Sequence, residues 1–130
     1  MAKVLLYNIH PTKAAKLKML CRNFFIEAVE VAPADYGKKI ADLLSGGGSG
    51  EAPEASFNEE MVYFADINGG FLNLVLDRMR RQKLGVALKA VKTDTNVQFT
   101  SFELFRELSA ERDAIAKGTT AHEEANREKA

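Results

Sequence analysis

A chain of 130 residues fits one domain, which buries about two thirds of the surface its unfolded form exposes and needs no staples. An apolar fraction of 46% and a charged fraction of 28% are ordinary for a globular protein, and 18 basic residues balance 18 acidic ones. This neutrality gives no electrostatic basis for binding nucleic acid or an acidic membrane, and no apolar run approaches the roughly 20 residues that cross a bilayer.

Residues 3–9 are nearly continuous apolar sequence (Val4, Leu5, Leu6, Tyr7) and predict a buried strand. Pro11 suits the first turn of a helix, in which Ala14, Leu17, Leu20, Cys21 and Phe24 form one apolar stripe. Residues 26–32 read as a second strand, stopped by Pro33, and Asp35 is the expected cap of a helix carrying Tyr36, Ile40, Leu43 and Leu44 to the core. Residues 46–60, with Gly46, Gly47, Gly48, Ser49 and Gly50, read as a flexible linker that buries nothing. The pattern then repeats. Residues 61–65 form a strand, Asp66 to Gly70 a turn, and Leu72, Val75, Leu76 and Met79 a helix face. Residues 84–91 form a strand, followed by a polar loop over 93–98. Thr100 and Glu103 make a capping box for the last helix, flanked by Phe99 and Leu104, and Leu108 and Ile115 continue its apolar face. Ser101, with Leu104 three residues on, cannot complete such a box and is the weaker cap. Residues 118–130 lack large apolar residues and are expected to fray.

The expected organisation is one α/β domain over 1–117. Its halves, 3–45 and 61–117, superimpose as an internal repeat with an offset of about 58 positions. The first and third strands carry no charge within their apolar runs, whereas the second contains Glu30 and the fourth Lys89, as edge strands do. That gives order 2-1-3-4, and helices between successive strands give a parallel doubly wound sheet with helices on both faces and a pseudo-twofold axis along the strands. The ferredoxin-like α+β order 4-1-3-2 also centres the first and third strands and is the alternative.

A parallel sheet would gather the polar loops at one edge, where ligands bind. The candidate site is therefore His10, Asp66, Asn68, Gly69, Gly70, Lys92, Thr93, Thr95 and Asn96, with Asn8 beside them. Asn68-Gly69-Gly70 could face an anion at a helix start, yet it lacks the ending of a phosphate loop and is not GxGxxG. Each member also has a plainer role: His10 as a helix cap, Asn68-Gly69-Gly70 as ordinary turn chemistry, and Thr93 to Asn96 as a loop locked by side-chain to backbone bonds. No CxxC, HExxH or histidine pair occurs, so no metal and no cofactor are expected. Arg78, Arg80, Arg81 and Lys83 read as a solvated, dipole-compensating helix end. The single cysteine excludes an intramolecular disulfide and favours a reducing compartment, and the opening MAKVLLYNIH is too short for a signal peptide. The expected address is the cytoplasm.

The stretch Val86-Ala-Leu-Lys-Ala-Val-Lys-Thr-Asp-Thr-Asn96, followed by Phe99-Thr-Ser-Phe-Glu-Leu104, resembles the bacterial domain-of-unknown-function family DUF3783. The VLLYN opening and the P-x-D-Y-G segment from Pro33 to Gly37 add to that resemblance, which covers most of residues 3–112. It implies that Lys89, Thr93, Thr95 and Asn96 belong to a family pattern, and it carries over no activity. With no recognisable nucleophile, base pair or metal set, the leading expectation is a non-enzymatic interaction or small-ligand-binding module, with a homodimer as one expected assembly. The alternatives are a small enzyme acting on an anionic metabolite and, against the charge balance, a nucleic-acid binder.

Overall fold

The computed structural model describes the backbone of residues 2–46 and 56–129, and side chains as far as residue 116. Most of the expected linker, residues 47–55, lies outside the described residues. The elements run β1 (Lys3–Tyr7), α1 (Pro11–Asn23), β2 (Glu27–Glu30), α2 (Ile40–Ser45), β3 (Met61–Ala65), α3 (Gly69–Arg81), β4 (Leu88–Val91) and α4 (Ser101–Lys129). Short 3-10 turns stand at Pro33–Asp35 and Asn96–Gln98.

The sheet order is β2-β1-β3-β4. The central strands β1 and β3 are buried along nearly their whole length, with Lys3 at the start of β1 as their one charge, while Glu27, Glu30 and Lys89 lie on the edges. Direction differs from the expectation. β1 is parallel to β2 and β3 to β4, but β1 and β3 are antiparallel, with Leu5 opposite Tyr63 and Tyr7 opposite Met61. The sheet is mixed, with the order of the doubly wound expectation and the antiparallel centre of the ferredoxin-like one. With six residues, about 9 Å, α2 is not by itself the full-length crossover helix of a parallel βαβ unit. The chain re-enters the sheet at the end where β1 and β2 finish.

Side-chain alternation divides the core into two layers. Val4, Leu6, Val62 and Phe64 meet Leu17, Cys21, Val75 and Met79 of α1 and α3. On the other face, Leu5, Tyr7, Met61 and Tyr63 meet Tyr36, Ile40, Phe57 and Leu104. Phe57 corrects the linker reading: the end of that segment is core, stacked between Tyr36 (centroids 4.6 Å) and Phe105 (4.3 Å). Asp35 does not cap α2. It sits in a 3-10 turn, paired with Lys38, and the helix begins only at Ile40.

Both α1 and α3 start after a residue with φ −54° and ψ 139°, His10 and Asn68. Both close with a following residue in the left-handed region, Phe25 (φ 59°) and Lys83 (φ 58°). Ile26 N–H to Cys21 O (2.9 Å) and Leu84 N–H to Met79 O (2.8 Å) complete the two Schellman closures. The capping box of α4 forms as expected: Glu103 N–H donates to Thr100 Oγ1 and Thr100 N–H to Glu103 Oε1, each at 3.1 Å. Ile115 departs from expectation, being 65% exposed rather than on the buried face. The helical backbone also continues through 118–129, the stretch expected to fray, which is rich in the strong helix formers Ala, Glu, Lys and Arg.

Candidate functional site

The antiparallel centre divides the predicted site. Tyr7 pairs with the first residue of β3 and Asp66 follows the last, so His10 stands at one end of the sheet and Asp66 at the other. Asp66, Lys92 and Thr93 come together at the carboxyl ends of β3 and β4, while Asn68, Gly69 and Gly70 open α3 just beyond and do not line the site. There the chain leaves β3 toward α3 on one face and β4 toward α4 on the other, the strand-end arrangement that opens a crevice. The crevice is about 320 Å³, with Phe64, Ile67, Leu72 and Val91 as its apolar lining and Asp66, Lys92, Thr93 and Asp94 as its polar one. Lys92 Nζ donates to Asp66 Oδ1 at 3.0 Å across its mouth. Asp66 itself has φ 58°, which aspartate tolerates better than most residues.

The remaining candidates hold the loops. Asn68 Oδ1 accepts from Gly70 N–H (2.9 Å) and His10 Nδ1 from Thr12 N–H (3.2 Å), so both act as caps. Asn96 is the hub of its loop. Its Oδ1 accepts from Thr93 N–H (2.9 Å) and from Tyr63 OH (2.6 Å), its N–H donates to Thr93 Oγ1 (2.9 Å), and its Nδ2 donates to Val91 O (2.9 Å). Thr95 is exposed and does not line the crevice.

Sequence reasoning gave Asn8 no partner, and the structure supplies several. Its Nδ2 donates to Phe57 O (2.8 Å) and Glu59 O (3.1 Å), and its Oδ1 accepts from Tyr36 OH (2.7 Å). Asn8, at φ 58°, thereby fixes the segment that enters β3. The signal in the sequence was an asparagine placed directly after a buried strand, where αL geometry is often needed. Cys21 is buried, and that burial pushes its thiol up to about 11, away from nucleophilic use. Burial likewise raises Tyr7, Tyr36 and Tyr63. Among the described residues, no group of three or more His, Cys, Asp or Glu stands close enough to hold a metal ion, and no helix is long and apolar enough to cross a membrane.

A larger concavity, about 780 Å³, runs between α3 and the β4 edge, lined by Leu76, Met79, Arg80, Lys83 and Lys89 among others. The basic helix end noted in the sequence supplies Arg80 and Lys83 to its wall.

Residues 60–115 match the model of a family described as a domain of unknown function, DUF3783. The matched stretch contains the strings at 86–96 and 99–104 that carry the resemblance in the sequence. The match takes in β3, α3, β4 and the first half of α4, and leaves the VLLYN opening and the Pro33 to Gly37 segment outside it. Comparison with curated proteins and with solved structures gives no match.

Proposed function

We propose that the protein is a non-enzymatic binding module. The observation that carries this reading is the employment of its polar residues. His10, Asn68, Thr93 and Asn96 are engaged in caps and loop closure, and Asp66 and Lys92 neutralise each other. The competing reading, an enzyme acting on a small anionic metabolite, keeps Asp66, Lys92 and Thr93 in one crevice but is left without His10, its histidine, and without Asn68, Gly69 and Gly70 in the lining. A broad activity screen on purified protein tests the choice. Binding without turnover is expected; turnover abolished by Lys92→Met would overturn the module reading.

We also propose that the chain arose by duplication of one βαβα unit. Support comes from α1 and α3, whose bounds lie 58 positions apart (Pro11 against Gly69, Asn23 against Arg81), and from Asn8 and Phe25, whose left-handed backbone recurs at Asp66 and Lys83. Such a pseudo-twofold would stand perpendicular to the sheet between β1 and β3, not along the strands.

A further inference from the structure

We propose that the β4 edge accepts an extended peptide segment of alternating acidic and apolar residues, which adds to the sheet as a fifth strand. The proposal rests on the reading of the protein as a binding module and concerns a surface separate from the Asp66–Lys92 crevice.

The edge has unpaired main chain at defined positions. Leu88 N–H donates to Glu60 O (3.2 Å) and Lys92 N–H to Phe64 O (2.8 Å), so residues 88, 90 and 92 turn their backbone toward β3. In a strand the intervening residues turn theirs away, which leaves Lys89 and Val91 facing outward. The Val91 carbonyl is taken by Asn96 Nδ2, and among the described residues the Lys89 N–H, Lys89 C=O and Val91 N–H have no partner and remain for an added strand. Asn96 thus closes the edge at one end and leaves open the part beside the large groove.

The two faces of the edge specify alternate side chains. On the α3 face, Lys89 stands opposite Val62 in register and lines the groove with Arg80 and Lys83. Among the described residues neither Lys83 nor Lys89 has a carboxylate partner, and Asp77 in the same groove is held by Arg80 and Arg81. Acidic side chains answer that surplus of cations. On the α4 face, Ala87, Leu88, Leu108 and Ile115 line a second depression of about 350 Å³ that also has Lys89, Glu111 and Arg112 in its lining, and Ile115 is largely exposed. Apolar side chains answer that one. A strand alternating between the two kinds satisfies both faces at its own period of two.

The opposite edge is an internal comparison. The corresponding groove beside β2 is smaller, about 450 Å³, and although Lys18 and Arg22 line it, its strand carries Glu27 and Glu30, paired with Lys3 and Lys18, where β4 carries Lys89. On the β4 side, residues 85–87 stand between Leu84 and the strand, whereas β2 begins directly after Ile26, so the β4 groove has a longer wall.

The test is a titration of the full-length ¹⁵N-labelled chain with a short, end-blocked peptide alternating Glu and Val. Saturable binding below about 1 mM is expected, with shifts at the Lys89 and Val91 amides. The double substitution Lys83→Glu, Lys89→Glu is expected to weaken binding about tenfold or more, with Ile115→Ser weakening it from the other face. A peptide N-methylated along one edge, with charge intact, should not bind. The proposal is overturned by absence of saturable binding, by equal binding of a Lys/Val peptide, by binding that survives N-methylation, or by shifts centred on Glu27 to Glu30. Self-association of the chain that Lys83→Glu abolishes would also overturn it, assigning the edge to a second copy. Failure here is separable from failure of the module reading, because the activity screen reads turnover and the titration reads the edge.

Discussion

Tyr7 and Ser101 share a hydrogen bond of 2.8 Å in the α4-side core, both fully buried. This reverses the ranking that capping alone gives. Thr100→Ala removes the cap and is expected to cost about 1 kcal/mol. Ser101→Ala strands the Tyr7 hydroxyl in the core and is expected to cost about 1–3 kcal/mol. Urea denaturation measures both, and a Tyr7→Phe background should remove most of the Ser101→Ala penalty while leaving that of Thr100→Ala unchanged. Phe25 is a second residue whose backbone matters more than its side chain. It holds φ 59° and is 93% exposed, so Phe25→Gly relieves strain and loses little packing. A gain of about 1 kcal/mol is expected in the same assay. Titration gives a third expectation. Cys21 and the three tyrosines have folded pKa values raised by burial above 9.0 and 10.0 respectively. The unfolded chain therefore releases these protons first. Their stabilisation is complete below pH about 9 and is lost as pH rises through the folded values, so the urea midpoint should fall steadily from pH about 9 upward.

At the scale of elements, the return segment before β3 is the piece that composition misjudged. Phe57 is sandwiched between Tyr36 and Phe105, Asn8 grips the carbonyls of Phe57 and Glu59, and the Glu59 carboxylate pairs with Arg112 of α4. Phe57→Ala is expected to cost about 3–5 kcal/mol, read as a drop in the thermal midpoint. Strand order was legible because charge marks edges: Glu30 and Lys89 told β2 and β4 from β1 and β3. Strand direction was not, because it depends on the end at which the chain returns to the sheet after α2, which no local pattern marks, and the periodicity of Tyr36, Ile40, Leu43 and Leu44 did not reveal that only the last part of that stretch is helical. The site inherited the error. His10 was grouped with Asp66 only because all strands were expected to end together. The parts that depend on neighbours in sequence, such as the caps at His10 and Thr100, were readable. Those made across the fold, such as Tyr63 to Asn96 and Tyr36 to Asn8, were not.

Over the whole molecule, the β1–β3 ladder of five residue pairs joins two βαβα halves, and each half keeps its own helices on both faces of the sheet. Residues 60–115, the family's matched span, contain only one side of that ladder. Covalent continuity makes the pairing intramolecular, so its strength is governed by an effective concentration set by the connecting segment rather than by the amount of protein present. The thermal midpoint of the intact chain should therefore be the same at low and high protein concentration. A chain cut between residues 47 and 55 should instead melt lower on dilution, as a bimolecular complex does. In the intact chain, lengthening that connection should change stability only through loop-closure entropy, about 0.6 kcal/mol for each doubling of its length.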